Sequence, residues 1–311
     1  YSFDSETNLT AEITYLSYLA QQGGGLSDKM FFEDPTQSIR SRNWFDVNWL
    51  VYNLKFKKSF NSNTNFMFQF FGLDASRKAL GFRVNRVSQI DSNEERDLII
   101  GDFNNYGFET KLLSEYDLLN TDAVFLLGLK YYKSKNTSRQ GPGSADIDPD
   151  FDFYSDLYPY YSNQSSYLYP NTNVAFFGEN IFQISDKLSI TPGFRLEYIN
   201  TNADGYYKQI ILDAAFNVIS DKTINEIRTN KRVFMLSGLG ISYKHNSFLE
   251  LHLNISENYR SVTFADISTI NPAYAINPNI KDESGFTFDV GTRGNFKKII
   301  SFDFSAFLLN Y

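Results

Sequence analysis

The chain has 311 residues, of which 17% are aromatic, with 30 Phe, 21 Tyr, no Cys and a formal net charge of −7 at pH 7. The absence of cysteine excludes disulfide scaffolds, thiol catalysis and zinc–thiolate sites. The negative charge argues against nucleic acid as a partner, because nucleic acid is bound by a basic surface. No apolar run approaches the roughly 20 residues that a membrane-spanning helix needs, so a helical membrane protein is excluded.

Alternation of apolar and polar residues predicts eleven β-strands. In chain order they cover 9–19, 43–57, 65–75, 105–117, 122–134, 173–184, 188–200, 232–243, 248–259, 286–295 and 299–311. Nearly all have about 10–13 residues, which is long for a globular strand and close to the length that crosses a bilayer at a tilt.

The two faces of these predicted strands differ in chemistry. Residues 189–200 place Phe194 and Leu196 on one face, and Arg195 and Glu197 on the other. Charges on the second face exclude a dry protein core on that side. A wide barrel with lipid outside and water inside accommodates both faces.

The predicted connections alternate between about three to seven residues and about 23 to 38 residues. The long ones are 20–42, 76–104, 135–172, 201–231 and 260–285. Short periplasmic turns and long extracellular loops give outer-membrane barrels this asymmetry, whereas the Greek-key connections of a soluble sandwich mix lengths at both ends. The predicted fold class is therefore all-β: a transmembrane, antiparallel, up-and-down β-barrel.

Two of the predicted loops carry candidate ligand-binding residues. Arginines spaced through 76–104 can converge on an anionic ligand through bidentate hydrogen bonds, although acidic residues in the same segment offer internal ion pairs instead. The tyrosines between 154 and 169 can stack on a ligand or pack against one another. The predicted ligand-binding set is Arg77, Arg83, Arg86, Arg139, Gln140, Tyr158 and Tyr160.

No pattern in the sequence supports an enzyme. The two histidines, His245 and His252, lack identifiable converging partners, and no serine nucleophile elbow, His-Glu-x-x-His motif or phosphate-binding glycine loop is present. Alternate aspartates within 146–152 resemble the start of a calcium loop, but Phe151 stands where that loop needs glycine. We therefore predict a solvated acidic loop there, with no catalytic residue, metal site or cofactor.

Several segments resemble TonB-dependent outer-membrane receptors, particularly the ferric citrate receptor-like branch. The segments similar to the early barrel are YLAQQGGGLSDKMFFEDPTQSIRSRNWFDVNW, FFGLDASRKALGFRVNRV and ERDLIIGDFNNYGFETKLL. FFGENIFQISDKLSITPGFRLEY and ENYRSVTFADISTINPAYAINPNIKDESGFTFDVGTRG are similar to the later barrel, where a Gly-Phe-Arg strand precedes an Asn-Pro-Asn-(Ile/Leu)-Lys-x-Glu loop.

The resemblance implies that residues 1–311 are part of a receptor barrel domain, about 11 strands of an expected 22. An N-terminal plug and C-terminal strands would lie outside this sequence. It also implies import of an iron chelate with energy from TonB, with Arg77, Arg83 and Arg86 in a loop that matches the one holding the anionic complex in the citrate branch. The ferric chelate is then a transported ligand rather than a cofactor.

The expected location is the bacterial outer membrane. The expected partners are outer-membrane lipid, the ferric chelate, the TonB energy-transducing complex through the missing N-terminal part, and an envelope protein or lipoprotein. Three alternatives stay open: a passive porin-like channel, a non-transporting barrel of an envelope complex, and an importer of glycans or peptides.

Overall fold

The computed structural model describes residues 3–83, 87–215, 217–262, 277, 280–296 and 299–311. These residues form one antiparallel sheet in which eleven strands pair in chain order, so the predicted all-β, up-and-down topology is confirmed. The strands are β1 (Thr7–Gln21), β2 (Trp44–Ser59), β3 (Thr64–Gly81), β4 (Asp97–Leu118), β5 (Thr121–Pro142), β6 (Ser165–Ser185), β7 (Leu188–Leu212), β8 (Val218–Asn246), β9 (Leu249–Arg260), β10 (Glu283–Phe296) and β11 (Ile300–Asn310). A short helix, α1 (Asp28–Glu33), lies between β1 and β2. In the described part of the chain, no helix has the length and apolar character to span a membrane.

One face of the sheet, which we call the apolar wall, carries the apolar residues of the alternation. The register aligns them across strands: Phe176 pairs with Leu129 on one side and with Leu196 on the other. These side chains stay exposed, reaching 76% for Ile13 and 61% for Met235, because the described residues form no second layer over them. A soluble core would bury such residues, so the exposure agrees with the predicted contact with lipid.

The opposite face, which we call the polar wall, carries charged and amide side chains. Asn173 donates to Glu197 at 2.6 Å, and Arg195 also donates to that carboxylate. Elsewhere on the polar wall, the Lys130 ammonium lies 5.8 Å from the centre of the Phe71 ring. These partners satisfy the charges within the sheet, as expected for a wall that faces water.

The strands are much longer than the alternation predicts, and this corrects part of the loop prediction. β3 continues to Gly81, β4 begins at Asp97, and only 213–217 separate the 25-residue β7 from the 29-residue β8. The prediction of irregular loops over all of 76–104, 135–172 and 201–231 was therefore wrong. Beyond the bilayer neither face needs to be apolar, so the two-residue period fades while the ladder of hydrogen bonds continues.

Three connections at this end are long in the structure: 22–43, 82–96 and 143–164. The predicted loop 260–285 lies mostly outside the described residues. Buried apolar side chains are few among the described residues, and most of them form two clusters at the same end. One contains Leu80, Leu98 and Ile100, and the other contains Tyr167, Tyr169, Ala203 and Val262.

Candidate functional site

Two of the predicted arginines line one cavity. Arg77 lies on β3 opposite Val47 of β2, on the polar wall, and Arg83 follows the end of β3. The cavity has a volume of ≈ 350 Å³. Its lining consists of Gln22, Asn43, Phe45, Arg77, Ala79, Leu80, Arg83 and Ile99. Arg77 is exposed and has no ion-pair partner among the described residues, so its guanidinium can accept an anion.

Arg83 and Gln140 meet at a buried carboxylate, Asp97. The Gln140 side-chain amide donates to both oxygens of Asp97, at 3.0 and 2.9 Å, and the Tyr161 hydroxyl donates to one of them at 3.0 Å. Arg83 lies 3.6 Å from the same carboxylate. Burial raises the pKa of Asp97, although the hydrogen bonds and the charge of Arg83 oppose that shift.

Titration of Asp97 is expected to change the stability of the 143–164 segment. Since the folded state raises the pKa of this carboxyl, it binds the proton more tightly than the unfolded state. The resulting stabilisation is complete below the unfolded value near 4 and is lost as the pH rises through the folded pKa. Hydrogen exchange of residues 143–164, corrected for intrinsic rates, should therefore be slower at pH 4 than at pH 7.

Asp97→Asn should remove this pH dependence and keep the segment at least as protected at pH 7 as in the wild type, because the amide carries no charge to desolvate. Faster exchange of the variant at every pH would show instead that the carboxylate's hydrogen bonds outweigh its burial.

Arg139 points away from this cavity. Arg139 and Gln140 are consecutive in β5, so their side chains lie on opposite faces of the sheet. Arg139 pairs with Asp102 at 3.6 Å and lies 5.8 Å from the centre of the Phe153 ring. The predicted set is therefore divided between the two faces.

The other predicted residues lie apart from the Arg77–Arg83 cavity. Tyr158 is half-buried and Tyr160 is exposed within 143–164, and the Lys208 ammonium donates to the carbonyl between them, that of Pro159, at 2.9 Å. No described contact brings either tyrosine to Arg77. Arg86 lies outside the described residues.

Arg96, another arginine of the predicted 76–104 loop, is fully buried and joins separate segments of the outer region. Its guanidinium donates to the Ser144 carbonyl at 2.9 Å, to the Ser144 hydroxyl at 2.6 Å and to the Arg42 carbonyl at 3.0 Å. The Arg42 side chain in turn donates to Asp91 at 2.9 and 2.5 Å and to the Ala145 carbonyl at 2.6 Å. We call these five residues the loop clamp.

The loop clamp fixes segments 22–43, 82–96 and 143–164 against one another at its contact points. Since Gln22, Asn43 and Arg83 line the cavity, the clamp also holds part of the cavity wall.

A second group on the polar wall was missed by the sequence analysis. The rings of Tyr167 and Tyr169 stack with centres 5.7 Å apart, and the Tyr167 hydroxyl donates to Glu226 at 3.0 Å. Arg228 pairs with the same carboxylate at 2.8 Å. A side chain at Gly205 would approach the Ser166 carbonyl to 2.1 Å, so glycine is what allows β7 to lie this close. Burial and the charge of Glu226 raise the pKa of Tyr167.

The sequence signal for this group was the i, i+2 spacing of Glu226 and Arg228, which places both on one face of a strand. It was overlooked because 201–231 was predicted to be a loop. Because its rings are buried and Arg228 is paired with Glu226, this second group packs β6 against β7 and β8, and the guanidinium donors that suit an anionic ligand are those of Arg77 and Arg83. Within the described ranges, no group of three or more His, Asp or Glu side chains is placed to hold a metal ion.

Comparison with known proteins identifies a family for the whole chain: residues 1–311 match the family described as TonB dependent receptor-like, beta-barrel. No curated protein matches the chain in sequence. The unliganded ferric citrate transporter FecA is similar in structure, with a TM-score of 0.75 and 16% identity over 99% of this chain and 41% of that one.

Two further structures are similar. The ferric-catecholate import receptor Fiu from E. coli K12, in its closed form, has a TM-score of 0.66 and 12% identity, covering 97% of this chain and 48% of that one. The copper transporter OprC has a TM-score of 0.60 and 15% identity, covering 94% and 41%. The chain therefore spans less than half the length of these structures, and the likeness at these identities shows the fold.

Proposed function

The chain belongs to the TonB-dependent receptor-like β-barrel family, whose members are outer-membrane transporters rather than enzymes, and we propose that it is part of a receptor importing an anionic ferric chelate. Ferric citrate or a siderophore-like anion is the proposed ligand. The proposal depends on one observation above all: Arg77 and Arg83 line a cavity at the extracellular end of the polar wall.

Capture is the step to which the residues of this chain contribute. The unpaired Arg77 would donate two parallel hydrogen bonds to a carboxylate of the chelate, and Arg83, 3.6 Å from Asp97, would share its charge between that residue and the ligand. Because the site lies among outer segments joined by the loop clamp, binding there needs little ordering of the chain, which favours affinity. Passage inward would use energy from the TonB complex, reached through a part of the receptor outside this sequence.

An importer of glycans is the second candidate, and the exposed ring of Tyr160 in the 143–164 segment favours it, because aromatic faces bind sugar rings as well as chelates. A passive channel would need neither TonB nor a specific anion site. An envelope protein or lipoprotein partner stays a prediction.

Arg77→Gln in the full-length receptor is expected to weaken the binding of ferric citrate roughly 10- to 100-fold, since a hydrogen bond to a charged group contributes about 1.5–3 kcal/mol. Arg139→Gln is the matched control, because it removes the same group from the other face of the sheet. Binding of radiolabelled ferric citrate to cells, followed by uptake with and without TonB, measures capture and import separately.

Equal losses of ferric citrate binding in Arg77→Gln and Arg139→Gln would contradict the assignment of the Arg77–Arg83 cavity as the ligand site. Uptake that persists without TonB would favour the passive channel, and binding of an oligosaccharide in place of ferric citrate would favour the glycan importer.

A further inference from the structure

We propose that Asn43 is the positioning residue of Arg83 and acts by holding the residue that precedes it, Phe82. This inference rests on the proposed capture of an anion by Arg83. The Asn43 side chain makes two hydrogen bonds to the backbone of Phe82. Its oxygen accepts from the Phe82 N–H at 2.9 Å, and its nitrogen donates to the Phe82 carbonyl at 3.2 Å. A single side chain therefore holds both backbone groups of Phe82.

These two bonds extend the ladder between β2 and β3 past its last backbone pair. Trp44, the first residue of β2, pairs with Leu80, and β3 ends at Gly81. Beyond that point the Asn43 amide offers one acceptor and one donor, as the backbone of a strand residue does. Phe82 consequently keeps a fixed position relative to the sheet after the strand has ended.

Glycine at position 81 leaves the space that the Asn43 side chain occupies. A Cβ atom at Gly81 would overlap Cγ and Oδ1 of Asn43 and would approach its Cβ to 2.8 Å. Carbon atoms in contact are normally about 3.5–4.0 Å apart, so a larger residue at 81 would displace the amide from Phe82. Gly81 is not among the described residues that line the cavity.

Asn43 is itself anchored, so it holds Phe82 against the neighbouring segments. Asn43 is buried, its N–H donates to the Arg40 carbonyl at 2.9 Å, and its carbonyl accepts from the Gln22 N–H at 2.8 Å. The central carbon of the Arg40 guanidinium lies 5.3 Å from the centre of the Phe82 ring, a cation–π contact. The backbone and the ring of Phe82 are thus both restrained.

The consequence for Arg83 is a fixed starting point for its side chain. Arg83 follows Phe82 directly, and its guanidinium lies 3.6 Å from Asp97. An arginine whose backbone is already ordered loses less entropy when a ligand arrives. Ordering the backbone of one residue costs as much as a roughly 5- to 30-fold change in affinity. Asn43 therefore strengthens the binding of an anion through Arg83.

Asn43 also lines the cavity, so the experiment must separate positioning from direct contact with the ligand. Two variants of the full-length receptor remove the hydrogen bonds to Phe82. Asn43→Leu keeps the approximate shape of the side chain, and Gly81→Ala displaces the amide from outside the cavity. Each should weaken the binding of ferric citrate to cells roughly 5- to 30-fold. Gly23→Ala is the matched control and should retain wild-type binding, because a Cβ atom there meets nothing within 4 Å.

The same two substitutions in an Arg83→Gln receptor show whether Asn43 acts through Arg83. There they should weaken binding by less than about twofold, because the group that Asn43 positions is already absent. In an Arg77→Gln receptor they should cause their full loss, since Arg77 lies within β3 and is held by the ladder itself. Hydrogen exchange of the Phe82 amide without ligand should be faster in both variants and unchanged in Gly23→Ala.

Three results would overturn the inference. An equal loss with and without the Arg83 guanidinium would mean that Asn43 contacts the ligand or supports the whole cavity. Wild-type binding in Asn43→Leu and Gly81→Ala would mean that Arg83 needs no such restraint. Unchanged exchange of the Phe82 amide would mean that the Asn43 hydrogen bonds do not hold it. A receptor whose binding depends on Arg77 and Arg83 but not on Asn43 contradicts only this inference, whereas a wild-type receptor that does not bind ferric citrate contradicts the proposed function.

Discussion

Replacing Leu127 with arginine is expected to lower the free energy of unfolding of the full barrel in lipid by about 2–4 kcal/mol, the cost of a cation on the lipid face near the bilayer midplane. Leu127 lies on the apolar wall, between Phe125 and Leu129, and 39% of its surface is exposed. Leu126, the preceding residue, points to the polar wall, where it pairs with Glu179 in the register. The same substitution at Leu126 should cost about 0–1 kcal/mol, because its guanidinium can reach water and a carboxylate.

The pair is a matched control, since the two variants have the same composition and differ only in the face of the sheet that receives the charge. Denaturant titration of the refolded barrel in lipid vesicles, followed by tryptophan fluorescence, measures both free energies. Equal costs at Leu126 and Leu127 would contradict the assignment of one face to lipid and the other to water.

The sequence was sufficient to predict the membrane-crossing part of the fold because the bilayer imposes a period of two there. Leu249, Leu251 and Ile255 alternate with charged or amide residues, and the structure leaves this apolar series on the uncovered face. Beyond the bilayer that constraint ends, and the sequence of β7 after Asn200 contains tyrosines, amides and isoleucines without a clear period. Pairing with β8 nevertheless continues to Leu212, because backbone hydrogen bonds do not depend on which side chains they carry.

The candidate site was harder to predict for the same reason. Arg77 and Arg139 were both assigned to loops, where side-chain direction cannot be read from spacing. Once both residues are placed on strands, the register sends Arg77 to the polar wall and Arg139 to the other face. Arg77 is exposed in the cavity, whereas Arg96 is buried and hydrogen-bonded to Ser144. Ser144 lies 48 residues away in the chain, and no local pattern indicates that it is the partner of Arg96.

Arg96→Met is expected to release the outer segments from one another while leaving the membrane-crossing part of the sheet intact. Arg96 is fully buried and donates three hydrogen bonds to Ser144 and Arg42. Methionine fills much of the space but removes the donor to the Ser144 hydroxyl and to the Arg42 carbonyl, at a cost of about 1–3 kcal/mol for each buried group, whereas the Ser144 carbonyl still accepts from the backbone N–H of residue 96. Burial lowers the pKa of Arg96, because the charged guanidinium loses solvation, and this opposes part of the gain from its hydrogen bonds. We therefore expect a net local destabilisation of about 2–4 kcal/mol.

Hydrogen exchange of the full-length receptor locates this effect. Amides in 22–43 and 143–164 should exchange on the order of 30- to 1000-fold faster in Arg96→Met, whereas those of β9 and β10 should keep the wild-type rate, since local opening is independent of the distant strands. Because the clamp holds part of the cavity wall, capture of ferric citrate should weaken in the same variant even though Arg77 is unchanged. Faster exchange throughout β9 and β10 would mean that Arg96 supports the whole sheet. Unchanged exchange in 22–43 would mean that packing, rather than the hydrogen bonds of Arg96, holds the outer segments together.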